Sequence, residues 1–291
     1  RVDALDLAMP PLEKISDVIT TPENYGAQGD GVTDDTAAIQ AALDNGGTII
    51  FKEGATYMVD AETNLWVESD SVIDLNGATV KAITNGNDYY NVFMIEDKHN
   101  VVIRNGKIVG DKDTHTSATG EWGYGVYVHG SNTILLDNLD ISKCWGDGIA
   151  ITTHTGHNEC YDVHVRDCSI SECRRQGISV MWCRDIFLTN NLIEDIGGTA
   201  PGAGIDVEPN PAQTTQNVFI IGNMLKNTVH GLCFSGEAAG STLKNVIASD
   251  NMVQAASSIT SQLLAKTIDN FTLANNVFNI AASSGGIGQI G

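Results

Sequence analysis

Two carboxylates, Asp206 and Glu208, stand one residue apart in the segment GAGIDVEPN, residues 202–210. In a β-strand, both acids would point to one face while Ile205 and Val207 point to the other. The carboxyl tips would then lie about 5–9 Å apart, which covers the separations used by retaining and inverting glycosidases. Repulsion between two nearby carboxylates separates their pKa values, so that one can serve as a protonated acid and the other as an ionised base. A solvated strand edge is the alternative, because an acidic chain also produces Asp-x-Glu by chance.

The charge of the chain limits its partners. Its 291 residues include 36 acidic and 16 basic ones, for a formal net charge of −20. Nucleic acid and anionic membranes are therefore poor partners. We find no long apolar run and no signal-peptide pattern, so we predict no membrane insertion and cannot infer the location from a leader.

The cysteines do not form a metal-binding pattern. None of the six belongs to a C-x-x-C pair, so the cysteine spacing does not indicate a structural zinc site. Several lie inside apolar patterns, so we predict buried free thiols rather than disulfides. We predict neither a cofactor nor a bound metal.

An internal repeat organises most of the chain. Its motif is Asn or Asp, then apolar-x-apolar, then Asn or Asp, as in NVVIRNG from Asn100 and NVFIIGN from Asn217. Eight copies run from Asp70 to Asn270, about 29 residues apart on average. A second motif follows in most repeats, as in GYGVYVH, GDGIAIT and GAGIDVE, with apolar residues at alternate positions. Two or more short strands per repeat and no helical periodicity predict a parallel β-helix, an all-β solenoid.

The ends of the solenoid require caps, because an open coil exposes unpaired backbone groups. Residues 35–43 predict a helix that has Thr33 or Asp34 as its N-cap and is ended by Gly46 and Gly47. The apolar face of this helix, Ala38, Ile39, Ala42 and Leu43, would cover the first coil. The predicted organisation is a connecting arm at 1–20, an N-terminal cap at 21–60, the β-helix at 61–282 and a flexible tail at 283–291.

The segment NYGAQGDGVTDDTAAIQAAL, residues 24–43, resembles the N-terminal signature of the pectate-lyase-like right-handed β-helix superfamily. That superfamily includes phage tailspikes, capsule depolymerases, pectate lyases and mannuronan epimerases. The resemblance implies a polysaccharide ligand bound along the outside of the helix, a virion-tail or extracellular location and, for tailspikes, a homotrimer. It does not define the reaction, because this scaffold carries hydrolases, lyases, epimerases and inert binders.

Aligning the second motif predicts columns of outward residues about 4.8 Å apart. One column contains Tyr127, Ala150, Ser179, Asp206 and Cys233. We predict Asp206 and Glu208 as the catalytic acid and base or nucleophile, with Asp147 and Glu237 in reserve. The predicted substrate-binding residues are Tyr124, Tyr127, His129, Gln176, Arg175 and His230. His129 with the two tyrosines could instead supply a lyase-type acid and base.

The first motif predicts a partner surface. Its outward position contains Val102, Ile134, His164, Phe187, Phe219, Ile247 and Thr272, a mainly apolar stripe about 29 Å long. Since a stripe of that length would promote aggregation, we expect a parallel homotrimer packed along it. Cover by turn insertions of the same subunit is the alternative.

The leading hypothesis is a tailspike-type depolymerase that cleaves glycosidic bonds of a bacterial surface polysaccharide. A uronate lyase or epimerase is the second, although Glu208 stands where the Asp-Pro-His stretch of alginate epimerases has its His. A non-catalytic polysaccharide-binding adhesin is the third.

Overall fold

The computed structural model describes residues 18–235, 240–255, 261–263 and 267–280 of the chain. These residues wind into stacked coils whose strands pair in parallel with their counterparts in the next coil. Each complete coil contributes to three sheets, here named sheets 1, 2 and 3 in the order in which the chain visits them. The predicted parallel β-helix is confirmed.

The strands are numbered in chain order. Sheet 1 contains β1 (Ile19–Thr20), β3 (Gly47–Ile50), β6 (Ser71–Asp74), β9 (His99–Val109), β11 (Asn132–Ser142), β13 (Cys160–Arg166), β16 (Cys183–Thr189), β19 (Thr214–Ile221), β22 (Thr242–Ser249) and β25 (Ile268–Ala274). Sheet 2 contains the ends of β9 and β11 with β2 (Asp30–Asp34), β4 (Thr56–Val59), β7 (Thr79–Ala82), β14 (Ser169–Ser171), β17 (Leu192–Glu194), β20 (Met224–Lys226), β23 (Met252–Ala255) and β26 (Val277–Ile280). Sheet 3 contains β5 (Leu65–Trp66), β8 (Tyr89–Glu96), β10 (Trp122–His129), β12 (Ile149–Thr152), β15 (Ile178–Val180), β18 (Ala203–Val207), β21 (His230–Phe234) and β24 (Ser261–Leu263).

The repeated Asn or Asp of the first motif forms a left-handed backbone corner in seven of its eight copies. Asp70, Asn100, Asp162 and Asn217 have φ between +54° and +58°. Asn and Asp adopt this conformation at lower cost than other non-glycine residues, because their short polar side chains can bond locally. The corners also bond to each other across coils, since Asn100 Nδ2 donates to Asp70 Oδ1 at 2.8 Å.

The sheet 1 corner of NTILLDN differs from the prediction by one residue. Thr133, and not Asn132, has the left-handed φ of 54°. The outward position two residues later is therefore Leu135, which is in register with Val102 and His164. Ile134 faces the core and is 1% exposed, so its predicted place in the outward stripe is wrong.

The core runs along the axis of the coils. All ten apolar residues predicted to face inward from the second motif belong to it: Val126, Val128, Ile149, Ile151, Ile178, Val180, Ile205, Val207, Leu232 and Phe234. Burying each such side chain contributes about 1.5–3 kcal/mol. All six cysteines are buried free thiols, as predicted.

A buried asparagine ladder fixes the turn between sheets 1 and 2. Asn191, Asn223, Asn251 and Asn276 occupy equivalent positions in successive coils. Asn223 Nδ2 donates to Leu188 O at 2.9 Å and to Asn251 Oδ1 at 3.0 Å, and Asn223 Oδ1 accepts from the backbone and side-chain nitrogens of Asn191. Each side chain thus satisfies buried backbone groups of the preceding turn, as the Asn223 side chain does for Leu188 and Asn191.

The N-terminal cap has the predicted helix with a shifted start. The helix α1 spans Thr36–Leu43, preceded by a 3-10 turn at Pro22–Tyr25. Asp35 occupies the N-cap position, but its carboxylate accepts from the backbone nitrogens of Gln28 and Gly29 and so fastens the preceding loop. Ile39, Ala42 and Leu43 are fully buried over the first coil, with Ala38 partly buried.

The predicted boundaries of the arm and tail fall mostly outside the described residues, namely residues 1–17 of the arm and the whole of 283–291. The last two residues of the arm, Ile19 and Thr20, pair in parallel with Thr48 and Ile49 and so extend sheet 1.

We predict that Asn223→Ala lowers the free energy of unfolding by about 3 kcal/mol or more, because it leaves buried groups of Asn191 and Leu188 without hydrogen bonds. Urea-induced unfolding measures the change. Asn210→Ala, at an exposed turn position, is the matched control and should change stability by less than about 0.5 kcal/mol. Equal stabilities of the two variants would contradict the role of the ladder.

Candidate functional site

The outer face of sheet 3 presents the predicted column of residues. The strand register places Tyr127 beside Ala150, Ala150 beside Ser179, Ser179 beside Asp206, and Asp206 beside Cys233. Val207 is in the core, so Asp206 and Glu208 lie on the outer face. The alternation predicted for the Asp-Val-Glu segment is therefore correct.

Asp206 is more enclosed than alternation alone indicated, since only 1% of the residue is exposed. Its Oδ2 accepts from Gln176 Nε2 at 3.0 Å and its Oδ1 from Ser235 Oγ at 3.1 Å. Burial and, to a smaller extent, the charge of Glu208 together raise the pKa of Asp206 to about 7, against the opposing effect of the bond from Ser235. A carboxyl with this pKa can donate a proton near neutral pH.

Asp147 lies just before β12, two coils before Asp206, and is completely buried in the same polar cluster. Its Oδ2 accepts from Ser179 Oγ at 2.7 Å and from the guanidinium of Arg175 at 3.4 Å. Burial raises the pKa of Asp147 to about 6, although Arg175 and the Ser179 bond favour the ionised form. Arg175 also lies 3.8 Å from Glu121, so its positive charge faces two carboxylates.

Tyrosines form the adjoining part of the face. The rings of Tyr124 and Tyr127 lie 5.1 Å apart between centroids, and both residues are buried. Burial raises the pKa of Tyr124, and Asp147 adds to the shift, which keeps the phenol protonated. Trp122, at the start of β10, is 47% exposed and is the aromatic side chain here most accessible to a sugar ring.

The remaining predicted site residues are distributed as follows. Gln176 is buried and contacts Asp206 directly, whereas Glu208 and His230 are partly exposed. Glu237 lies outside the described residues.

A histidine cluster at the C-terminal end of β8 and β10 was only partly anticipated. His129 Nδ1 lies 3.1 Å from Glu96 Oε2, and its ring centroid is 4.9 Å from that of His154 and 4.1 Å from that of His157. Burial lowers the pKa of His129, with Glu96 acting in the opposite direction. The sequence signal for the missed histidines was THTGHNE, residues 153–159, a polar insertion directly after β12.

The outward stripe of sheet 1 is continuous but less open than predicted. His164, Phe187 and Phe219 stack with parallel rings, 4.4 and 5.0 Å apart between centroids. Val102 and Leu135 are already buried within the single chain. The partly exposed apolar section therefore comprises Phe187, Phe219 and Ile247.

The family model for the right handed beta helix region matches residues 60–219, more than half of the chain. The chain belongs to the right-handed β-helix family. YclG of Bacillus subtilis (strain 168), an uncharacterised protein, is 29% identical over 225 residues, which cover 67% of this chain and 38% of YclG. The capsule KN3-specific depolymerase 1 of Klebsiella phage KN3-1 is 49% identical over 45 residues, 14% of this chain and 6% of that protein. The chain thus spans much less than half the length of these relatives.

Solved structures share the fold at low sequence identity. The surface adhesin PfbA of Streptococcus pneumoniae aligns with a TM-score of 0.66 and 17% identity, over 91% of this chain and 73% of PfbA. The tailspike gp49 of Acinetobacter baumannii bacteriophage Fri1, a capsular polysaccharide depolymerase, aligns with a TM-score of 0.62 and 12% identity, over 92% of this chain and 64% of gp49. No helix in the described part of this protein is long and apolar enough to cross a membrane.

The buried carboxyls predict a pH dependence of stability. An unfolded aspartate ionises near pH 3.9, but folded Asp206 keeps its proton to about pH 7, so the folded state binds more protons between these values. Stability should therefore fall as the pH rises from about 4 to 7, with Asp206 contributing on the order of 4 kcal/mol at most.

Asp206→Asn should flatten this decline, because the amide does not ionise. Thermal unfolding midpoints measured from pH 4 to 8 test the expectation. Asp60→Asn, on a partly exposed acid outside the cluster, should retain the wild-type profile. Superimposable profiles of wild type and Asp206→Asn would contradict a raised pKa.

Proposed function

We propose that this chain is the solenoid of a polysaccharide depolymerase that hydrolyses glycosidic bonds of a bacterial surface polysaccharide on the outer face of sheet 3. The observation that carries the proposal is the enclosed carboxyl of Asp206 beside Glu208 on the same face, where burial raises the pKa of Asp206 to about 7. The sequence match to a phage capsule depolymerase and the fold shared with the Fri1 tailspike support polysaccharide as the substrate class. A virion-tail or extracellular location follows from this substrate.

In this mechanism, Asp206 is the general acid. It transfers its proton to the glycosidic oxygen as the bond to the anomeric carbon breaks, and the positive charge that develops on the sugar is stabilised by the Glu208 carboxylate. Glu208 either attacks the anomeric carbon or removes a proton from the attacking water. The Ser235 hydroxyl must turn away from Asp206 Oδ1 so that the sugar oxygen can take its place.

Asp147 positions the acid rather than reacting with substrate. Its carboxylate holds Ser179, whose strand neighbour is Asp206, and Arg175. The charge of Arg175 already faces the carboxylates of Asp147, at 3.4 Å, and Glu121, at 3.8 Å, which makes it a poor group for neutralising a uronate carboxylate and disfavours the lyase alternative. Trp122, the exposed aromatic residue, would supply the sugar-stacking surface and the partly exposed His230 a polar contact, whereas the buried Tyr124, Tyr127, Gln176 and His129 would support this face from within.

Incubation with a panel of capsular and O-antigen polysaccharides tests the activity. Product masses should show one added water per cleavage, whereas elimination adds none. Asp206→Asn and Glu208→Gln should each reduce turnover at least about a hundredfold, the usual contribution of acid–base groups. The Asp60→Asn/Glu62→Gln double variant has the same Asp-x-Glu spacing outside the site and should retain activity. Unchanged turnover in both site variants would remove the pair from the mechanism.

A second candidate, a non-catalytic polysaccharide-binding solenoid, is favoured by the complete enclosure of Asp147 and the near-complete enclosure of Asp206. PfbA, an adhesin, shares the fold. This candidate predicts binding of a polysaccharide without new reducing ends, and the same panel separates the two functions.

We also propose a parallel homotrimer packed along the stripe of sheet 1, with Leu135 in place of Ile134. The stacked Phe187 and Phe219 rings and the adjacent Ile247 support it. Sedimentation at micromolar concentration should give three times the mass of the chain, and Phe219→Lys should shift the distribution to monomer. Ile268→Lys, at an exposed apolar position of the same sheet, is the control. A monomeric wild-type chain would refute the trimer.

A further inference from the structure

Three successive coils bring potential metal ligands together at the C-terminal edge of sheet 3. Glu96 ends β8, His129 ends β10, and His157 belongs to the insertion that follows β12. One donor atom from each residue lies within 4.8 Å of the donor atoms of the other two. Two ligands of a tetrahedral zinc ion are about 3.4 Å apart, so small side-chain rotations would bring all three to one ion.

His129 is the enclosed member of this group, with 5% exposure. Its Nδ1 is 3.1 Å from Glu96 Oε2, whereas its buried Nε2 has no hydrogen-bond partner among the described residues. A buried polar nitrogen without a partner is uncommon and costs about 1–3 kcal/mol. Packing of histidine rings alone leaves this cost uncompensated, whereas a cation coordinated by Nε2 would remove it, with the Glu96 carboxylate turning from Nδ1 toward the ion.

His157 is held in place by the acid next to Glu96. Its Nδ1 lies 3.0 Å from Asp97 Oδ2, and the backbone nitrogen of Asn158 donates to Asp97 Oδ1 at 2.9 Å. Histidines that bind metals commonly give their other ring N–H to a carboxylate, which sets the ring orientation and leaves the second nitrogen for the ion. Asp97 is therefore a positioning residue, and the insertion is anchored two coils away from its own strand.

We propose that Glu96, His129 and His157 bind a divalent transition-metal ion of the zinc class. Two imidazoles and one carboxylate suit zinc, cobalt or nickel, whereas calcium and magnesium prefer sites made wholly of oxygen. The ion would link three coils and fasten the insertion after β12 to the helix. This site is separate from the proposed catalytic acid, because His129 ends β10 whereas Asp206 lies on β18, three strands further along sheet 3.

Titration of chelator-treated protein with Co²⁺, followed by visible absorption, tests the proposal. We expect one equivalent to bind, Zn²⁺ to displace it, and the thermal midpoint to rise with Zn²⁺ and fall again with EDTA. His157→Ala and Glu96→Gln should each weaken binding at least tenfold. Asp97→Asn should weaken it about 10- to 100-fold by releasing His157.

His99→Ala is the matched control, because His99 is an exposed histidine that faces an aspartate, Asp70, at 3.8 Å on sheet 1. It should bind Co²⁺ like the wild type. His157 is exposed, so its removal should leave the circular dichroism spectrum unchanged even if substitutions of buried His129 impair folding. Absence of stoichiometric binding, preference for Ca²⁺ over Zn²⁺, or full binding by both His157→Ala and Glu96→Gln would overturn the site. None of these results depends on polysaccharide cleavage.

Discussion

The strand register between one coil and the next governs every other feature of this molecule. Side chains alternate along a strand, so a slip of one residue would exchange the core face for the outer face. The left-handed corners prevent such a slip, because each coil must place its permissive residue at the same point of the turn. Asn217 meets this need with φ of 54° and bonds to Asp185 of the preceding coil at 2.7 Å. The chemistry of the outer face is thus fixed by residues that take no part in it.

Registration also determines the electrostatics of the candidate site. Because the backbone ladder holds Ser179 beside Asp206, polar side chains from successive coils meet at the spacing of one strand and exclude water from each other. The carboxyl of Asp206 is therefore stabilised in its protonated form, at a cost to its ionised form that the surrounding hydrogen bonds only partly offset. Such a site can keep a carboxyl with a raised pKa because the backbone hydrogen bonds between coils, and not the acid itself, stabilise the fold.

Sequence periodicity predicted which side chains share a column on the outer face, but not how deeply each of them is buried. Alternation is a property of a strand, so the placement of Asp206 and Val207 on opposite faces could be read from the residues alone. The burial of Asp206 depends on how Gln176 and Ser235 turn toward it, and strand periodicity contains no information about that. Ile134 was misplaced because Thr133 takes the corner normally occupied by Asn or Asp, so the motif could be aligned one residue early. The histidine cluster escaped prediction because His154 and His157 lie in an insertion, outside the repeated pattern.

The turns at the two ends of the sheet 3 strands are where this architecture permits variation in loop length. From β13 onward, sheets 1 and 2 are joined by two-residue turns, and their second residue is Cys168 or a member of the asparagine ladder. A longer turn there would break hydrogen bonds to the coils on both sides. In the described residues, the turns that enter and leave sheet 3 contain no such ladder, and they include residues 110–121 and 153–159. Insertions can therefore accumulate around sheet 3 without disturbing the stacking, and that is where the acid cluster and the histidine cluster both lie. The same separation allows a binding face to change its ligand while the asparagine side of each coil keeps the register.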